Sequence, residues 1–193
     1  MLVLIDKHKD LRRTHWLTDP KNTYKERDEE ILKEANGAIA TVMGRYYAMD
    51  RDRRWERTEK AWRALAWLQG EKAINATQAV EQAYAQNISD EFIVPTVISG
   101  AQAVTKHSEL IFFNFRNDRP RQLAQALAQQ NFTSFVRGDD FEAIEITMMT
   151  KYSKEFLGPV VFPPRRPETN IAKIISECGL RQFHCAETEK YPH

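Results

Sequence analysis

The stretch AIATVMGRYYAMDRDRRW, residues 38–55, decides the fold class of this chain. Its first part, Ala38 to Met43, is a continuous apolar and β-branched run that ends at Gly44. Such runs are typical of strands that are buried on both faces, as in a parallel sheet. The second part is polar and rich in arginine, so the stretch predicts a buried strand followed by a charged loop.

Three further segments carry the pattern of strands, and four carry the pattern of helices. Strands are expected over residues 110–115, 141–149 and 182–186. Helices are expected over 55–68, over 76–86 with Asn75 as the cap, from Pro120 onward, and over 169–178 with Gly179 at the end. The alternation of strands and helices predicts an α/β fold.

The two ends of the chain differ in character from its middle. Residues 7–34 are dense in charge and contain no convincing strand, which favours a solvated helix or a loose lead-in. Near the other end, residues 162–167 read FPPRRP, a stiff and extended segment. Because proline breaks helices and strands, this segment predicts a hinge or linker.

Composition excludes several classes of function. Lys and Arg number 28 against 27 Asp and Glu, so no global field draws the protein to a polyanion or an acidic membrane. No two of the seven glycines lie closer than Gly37 and Gly44, which excludes GxxxxGK[ST] and GxGxxG nucleotide loops. Cys178 and Cys185 lack metal-ligand spacing, and no apolar run could span a membrane. A cytoplasmic protein is expected.

Two arginine clusters occupy equivalent places, each just past the carboxyl end of a predicted apolar strand. Arg45 and Arg51 lie in GRYYAMDRD, and Arg116 and Arg119 lie in FRNDR. In open α/β sheets, ligands bind at this edge. Arginine donates paired hydrogen bonds to carboxylate or phosphate and keeps its charge. Four converging arginines would form a site for a small ligand that carries both groups.

Two other interpretations of these arginines stay open at this point. Acidic neighbours in both clusters could make them ion pairs on surface loops; these neighbours are Asp50, Asp52, Glu56 and Asp118. The adjacent aromatic residues could form a platform for single-stranded nucleic acid. Most of those aromatic residues, however, are expected in the core; they are Tyr46, Tyr47, Phe112, Phe113 and Phe115. His184 is likewise expected to be packed in a strand rather than to bind a metal.

Four ordered motifs identify a family. GRYYAMDRDRRWERTEKAW, FIVPTVI, IFFNFRNDRPRQL and AETEKYPH begin at residues 44, 92, 111 and 186. In order and spacing they resemble the bacterial form of cofactor-independent phosphoglycerate mutase, from about residue 30 to the last residue. The resemblance implies an isomerase that interconverts 3-phosphoglycerate and 2-phosphoglycerate through a phosphoserine.

The resemblance also implies a domain organisation. It places residues 30–165 in the latter part of an inserted α/β phosphotransferase domain, which binds the substrate. Residues 166–193 would be the hinge and the start of the return into an alkaline-phosphatase-like domain. Residues 1–29 are an unmatched lead-in. The chain therefore looks like a fragment of the enzyme that is inactive alone. The alternative is a non-catalytic α/β domain that binds anions or nucleic acid.

Site residues follow from the motif positions. Arg45 and Arg51 match arginines that grip the substrate at its carboxylate and hydroxyl end. Arg116 and Arg119 match the pair that contacts the phosphoryl group. Lys190 in ETEKY matches a catalytic lysine near the phosphorylated serine, where its charge would stabilise the transferring group.

The departures from the family pattern concern the remaining machinery. The resemblance implies two manganese or other divalent metal ions in the complete enzyme, but their ligands and the serine segment have no match in this chain. The DGRD motif, expected upstream of GRYYAMDRD, is not found in residues 1–29. The implied partners are 2-phosphoglycerate and 3-phosphoglycerate, with no nucleic acid or membrane, and the complete enzyme is expected to be a monomer.

Overall fold

The computed structural model describes residues 2–6, 12–17, 34, 37–156, 158–165 and 167–186, the first two ranges by their backbone. The chain forms two compact units, Met1–Pro163 and Pro164–His193. The boundary between them falls inside the FPPRRP segment.

The first unit is built on one sheet of seven strands. In chain order the strands are β1 Leu2–Asp6, β2 Arg12–Leu17, β3 Gly37–Met43, β4 Glu71–Ala73, β5 Thr96–Ile98, β6 Ser108–Phe112 and β7 Ile146–Met148. Across the sheet they follow the order β4-β5-β3-β2-β1-β6-β7.

The sheet is mixed rather than purely parallel. β1 is antiparallel to both β2 and β6, whereas β2 and β3 are parallel, as are β6 and β7. β2, β3, β6 and β7 therefore run in one direction, and β5 runs opposite to β3. Although two strands separate β3 from β6, their carboxyl ends lie at the same edge of the sheet.

The helices of this unit are α1 Arg45–Ala48, α2 Trp55–Ala66, α3 Ala76–Ala85 and α4 Arg121–Ala128, with a short 3-10 helix at Asp90–Phe92. Three of them confirm the predicted helices. The Asn75 side chain accepts a hydrogen bond from the backbone N–H of Gln78, at 2.8 Å, so it caps α3 as expected. Pro120 directly precedes α4.

The core lies on both faces of the sheet. Val42 packs in a cluster with α3, whereas its neighbour Met43 packs in the other cluster with Trp62 of α2 and Leu127 of α4. Successive residues of a strand point to opposite faces, so these contacts show that β3 is covered on both sides. The α/β prediction and the buried strand after residue 37 are confirmed.

Some predicted boundaries are wrong. Arg12–Leu17 forms β2, although no strand was expected between residues 7 and 34. Its position is set by pairing with β1 and β3, which local pattern does not reveal. β6 ends at Phe112 instead of residue 115, and within 141–149 only Ile146–Met148 is a strand.

The second unit contains α5, Ile171–Glu177. Asn170 caps it by accepting a hydrogen bond from the Lys173 N–H at 2.9 Å, and Gly179 follows it with a φ of +70°. The expected helix is confirmed. The expected strand at residues 182–186 is wrong, because this segment is exposed and has no sheet partner among the described residues.

Nowhere in the described part of the chain is there a helix with the length and apolar character to cross a membrane.

Candidate anion-binding site

Two segments meet at the edge of the sheet where β3 and β6 end. The first consists of α1 and the loop of residues 49–54, and it carries Arg45 and Arg51. The second is the loop of residues 113–120, and it carries Arg116 and Arg119. The structure thus places all four predicted arginines at one edge of the first unit.

Gly44 fixes where the first segment begins. Its N–H donates to the carbonyl oxygen of Ile93 at 2.8 Å, and a Cβ at this position would lie 2.2 Å from the carbonyl oxygen of Glu91. Only glycine permits that approach of two backbones. The approach also brings the Glu91 carboxylate to 2.7 Å from the Arg45 guanidinium.

Asp118 joins the two arginine clusters. Its Oδ2 accepts a hydrogen bond from Nη1 of Arg51 at 2.8 Å, and its Oδ1 lies 2.8 Å from Nε of Arg116. The second contact is an ion pair without hydrogen-bond alignment, because Oδ1 has no aligned donor. One carboxylate therefore bridges an arginine of each segment.

The charges around Asp118 change its acidity. Partial burial acts to raise the pKa of this carboxyl, but the hydrogen bond from Arg51 and the charge of Arg116 outweigh burial. The net result is a pKa below the ordinary value. Asp118 is therefore held as a carboxylate by the arginines that it contacts.

Arg119 lies in a strongly positive environment. Its Nη1 donates to the carbonyl oxygen of Met49 at 3.2 Å, which connects the two segments a second time. Burial lowers the pKa of Arg119, and so do the charges of its neighbours. These neighbours are Arg51, Arg45 and Arg116, whereas Asp118 opposes them. The positive charges of these arginines therefore act on one another at this edge, and such an environment attracts anions.

The loop of residues 49–54 is held by a buried carboxylate. Asp50 is 5% exposed, and its Oδ2 accepts from the N–H groups of Asp52 and Arg54, at 3.2 and 2.8 Å. Nε2 of Gln122 donates to the same oxygen at 2.9 Å. Nη1 of Arg57 lies 3.4 Å from the other oxygen. These contacts fix the backbone on both sides of Arg51.

The second loop is held by a buried tyrosine. The Tyr152 hydroxyl donates toward the carbonyl oxygens of Phe112 and Asn114, at 3.0 and 2.7 Å. Burial raises the pKa of Tyr152 above its ordinary value, so the hydroxyl keeps the proton that it donates. The backbone that leads to Arg116 is thereby anchored to the end of β6.

Several aromatic residues near the arginines do not lie where they were expected. Phe112 is buried, and Tyr46 and Tyr47 are half-buried, but Phe113 and Phe115 are 40% and 64% exposed. The prediction that most of these residues belong to the core is wrong for the last two. Because β6 ends at Phe112, the chain leaves the sheet before it reaches them.

Two other residues predicted from the sequence belong to the second unit of the chain. His184 is exposed and contacts the Gln182 side chain at 2.8 Å, so the expectation of a packed histidine is wrong. Lys190 lies outside the described residues. Across the part of the chain that is described, no three His, Cys, Asp or Glu side chains come together to hold a metal ion.

Sequence reasoning missed Gln122 and Tyr152, which hold the two loops. Both are buried, at 6% exposure for Gln122 and 1% for Tyr152, and both form hydrogen bonds to backbone groups. The only hint in the sequence is that Gln122 directly precedes the apolar stripe that starts at Leu123 of α4. Asp118 was considered as an ion-pair partner of the arginines, and the structure shows that it pairs with arginines of both clusters.

Comparison with known proteins extends over most of the chain. A curated relative from Symbiobacterium thermophilum, named 2,3-bisphosphoglycerate-independent phosphoglycerate mutase, is 47% identical over 173 residues. The alignment covers 88% of this chain and 34% of that protein. A relative of the same name from Thermomicrobium roseum is 44% identical, with 93% and 37% covered. This chain thus spans about a third of the length of these relatives.

A solved structure shows the same fold. The crystal structure of Leishmania mexicana phosphoglycerate mutase at low cobalt concentration superposes with a TM-score of 0.71 at 22% identity. The match covers 94% of this chain and 37% of that one.

The sequence profile of a single family matches residues 13–154, and it includes all four arginines of the site. The match begins earlier than the resemblance at residue 30, and it includes all of β2 except Arg12. The chain therefore belongs to the family described as BPG-independent PGAM N-terminus (iPGM_N).

Proposed function

We propose that this chain is the substrate-binding part of a cofactor-independent phosphoglycerate mutase, which interconverts 3-phosphoglycerate and 2-phosphoglycerate through a phosphoserine. The observation that carries the proposal is the meeting of four arginines at one sheet edge, where the charges of Arg45, Arg51 and Arg116 act on Arg119. A phosphoglycerate carries a carboxylate and a phosphate, and both match the fork of an arginine.

The proposed roles divide the arginines by segment. Arg45 and Arg51 bind the carboxylate and hydroxyl end of the substrate, and Arg116 and Arg119 bind the phosphoryl group. The side chains of Arg45 and Arg116 are 47% and 63% exposed, so their donors can reach a ligand. Arg51 is held by Asp118, which orients its guanidinium before a ligand binds.

The four arginines supply electrostatic stabilisation rather than a covalent step. A phosphoryl group in transfer carries negative charge on its oxygens, and oriented cations lower the energy of that state. Since these side chains are held before binding, little reorganisation is needed at the moment of reaction. Lys190 is proposed to add one more positive charge beside the phosphorylated serine of the complete enzyme.

The proposal includes two divalent metal ions, manganese or another, in the complete enzyme. Metal ions would act as Lewis acids on the phosphoryl oxygens. The described residues of this chain bring no suitable ligand group together. No step assigned to this chain therefore passes through a metal. A monomeric enzyme that acts in the cytoplasm completes the proposal.

A chimera tests this function by turnover. Residues 30–193 replace the matching segment of the Symbiobacterium thermophilum relative, and activity is followed with a coupled enolase assay. Replacing Arg116 or Arg119 by lysine keeps the charge but loses the fork. Because a hydrogen bond to a charged group contributes about 1.5–3 kcal/mol, we expect kcat/KM to fall about ten- to a hundredfold.

Arg53 and Arg54 provide matched controls for the chimera. Their side chains are exposed, and only their backbone N–H groups serve the loop. Arg53→Lys and Arg54→Lys should therefore leave turnover unchanged. If either control substitution reduces turnover as much as Arg116→Lys does, the assignment of the four arginines is wrong.

A second candidate function rests on the exposed aromatic residues beside Arg116. The rings of Phe113 and Phe115 lie 5.7 Å apart, and Phe115 stacks on Phe162 at 6.4 Å. Such a group could stack bases of a single strand. This candidate predicts that Arg116→Lys weakens a salt-sensitive affinity for single-stranded nucleic acid and leaves the turnover of the chimera untouched.

A further inference from the structure

We propose that Gln122 is a positioning residue of the anion site, which acts by clamping the loop that presents Arg51 to the ligand. The inference rests on the proposed function and deepens it, because it names a residue that sets the geometry of the same site. Gln122 lies on α4, and its buried side chain contacts the loop that carries Arg51.

All the polar atoms of the Gln122 amide are used, and the contacts span two elements. Its Nε2 donates to Oδ2 of Asp50 at 2.9 Å and to Oγ1 of Thr58 at 3.1 Å. Its Oε1 accepts from the N–H of Arg53 at 2.9 Å. The amide therefore grips the loop at residues 50 and 53, one residue before and two residues after Arg51.

The loop needs such a clamp because its backbone is strained. Arg53 has a φ of +59°, in the left-handed region that residues other than glycine rarely adopt. A side chain with a Cβ stays there only when its surroundings impose the conformation. The hydrogen bond from the Arg53 N–H to Gln122 is the contact that imposes it from another element.

The clamped loop presents two groups to the site at once. Arg51 reaches Asp118 at 2.8 Å, and the carbonyl oxygen of Met49 accepts from Arg119 at 3.2 Å. Both contacts cross to the segment that follows β6. A shift of the loop would therefore displace Arg51 and release Arg119 together, while the core formed by Leu123, Ala124 and Leu127 of the same helix stays in place.

The test compares two substitutions in the full 193-residue chain. Gln122→Glu keeps the size of the side chain and an oxygen that can accept from Arg53, but it places a second carboxylate against Asp50. Gln122→Leu removes all three hydrogen bonds. The probe is inorganic sulfate, which stays a dianion between pH 5 and 7, and its dissociation constant is measured by calorimetry at both pH values.

At pH 7 both variants should bind sulfate about tenfold more weakly, as expected for the loss of one well-placed hydrogen bond to a charged group. The charged groups that face position 122 are Asp50 and, behind it, Arg57. Because Asp50 disfavours a second charge, the introduced carboxyl should protonate by pH 5 and donate again. Affinity should then recover in Gln122→Glu and remain weak in Gln122→Leu.

Thr58→Val is the matched control, since it removes one acceptor of Gln122 without touching the loop. It should lower stability and leave the sulfate affinity unchanged. In an Arg51→Lys background, Gln122→Leu should reduce the sulfate affinity little further, because Gln122 acts on the anion through Arg51. Full additivity of the two losses, or an equal loss of affinity in Thr58→Val, would overturn the proposal.

Hydrogen exchange of backbone N–H groups tests the clamp independently of ligand binding, so it distinguishes failure of the clamp from failure of the proposed function. In Gln122→Leu the N–H groups of residues 52–54 should exchange faster than in Thr58→Val, with α4 equally protected in both. If the wild-type chain binds neither sulfate nor 3-phosphoglycerate, but Gln122→Leu shows this local loss of protection, the proposed function fails and the clamp stands. If protection is unchanged, the clamp itself is refuted.

Discussion

Asp118 contacts arginines of both clusters of the site. It holds Arg51 and Arg116, and it partly offsets the positive charge around Arg119. A carboxylate in this place reduces the repulsion between the arginines when no ligand is present. A bound anion would therefore share these arginines with Asp118, and the affinity of the site reflects that competition.

The lowered pKa of Asp118 predicts how stability depends on pH. A carboxyl whose pKa is lower in the folded state contributes stability above its unfolded value of 3.8, and loses it as the pH falls through the folded value. Asp118→Asn should therefore flatten the fall of unfolding free energy below about pH 4. Urea titrations between pH 2.5 and 7 measure this dependence.

Asp139→Asn is the control for this titration, because Asp139 is an exposed carboxyl in the same unit. If its acid dependence matches that of Asp118→Asn, the contacts with Arg51 and Arg116 do not set the pKa of Asp118.

The arginines of the site could be predicted from the sequence, but the residues that hold them could not. Arg45 and Arg116 each follow an apolar strand within a few residues, and such a position is visible in the chain itself. Gln122 acts across 72 positions on Asp50, and Tyr152 acts across 40 positions on the carbonyl of Phe112. Contacts of that separation depend on the tertiary fold, so local pattern does not report them.

At the scale of elements, prediction from the sequence succeeded for helices and strands whose own residues determine their structure. β3 is an unbroken apolar run, and α3 has both an apolar face and a capping asparagine. β2 lies in a charged segment and depends on β1 and β3 for its pairing. β7 has only three residues, held by β6 and by a bridge from Met148 to Val160.

The turn from β3 into α1 depends on Gly44. In Gly44→Ala the new methyl group would overlap backbone atoms of Glu91, which cannot move as a side chain would. We expect a loss of about 1–3 kcal/mol in unfolding free energy, in the range of overpacked sites. The displaced Glu91 should also leave Arg45 less well held, so anion affinity should fall together with stability.

Chemical denaturation and sulfate binding of Gly44→Ala and Gly44→Val check this expectation. The valine variant should be the more destabilised of the two. Equal stability of wild type and Gly44→Ala would contradict this expectation. It would show that the backbone at residues 90–91 can move to accommodate the methyl group without loss of unfolding free energy.

At the scale of the whole molecule, the direction of the strands brings the site together. β2 and β1 lie between β3 and β6 in the sheet. Because β1 is antiparallel to both β2 and β6, and β2 is parallel to β3, β3 and β6 run in the same direction and end at the same edge. The sequence alone predicted an α/β fold and the positions of the arginines after two strands. It could not supply the order of the strands, because pairing partners distant in the chain determine that order.

The most direct test of the central claim is calorimetric titration of this chain with 3-phosphoglycerate, in wild type, Arg119→Lys and Arg53→Lys. The charges of the other three arginines act on Arg119, so it reports on the site as a whole. We predict one binding site, weakened about ten- to a hundredfold by Arg119→Lys through loss of the paired hydrogen bonds, and unchanged by Arg53→Lys. Absence of binding in the wild type, or an equal effect of the two substitutions, would contradict the account.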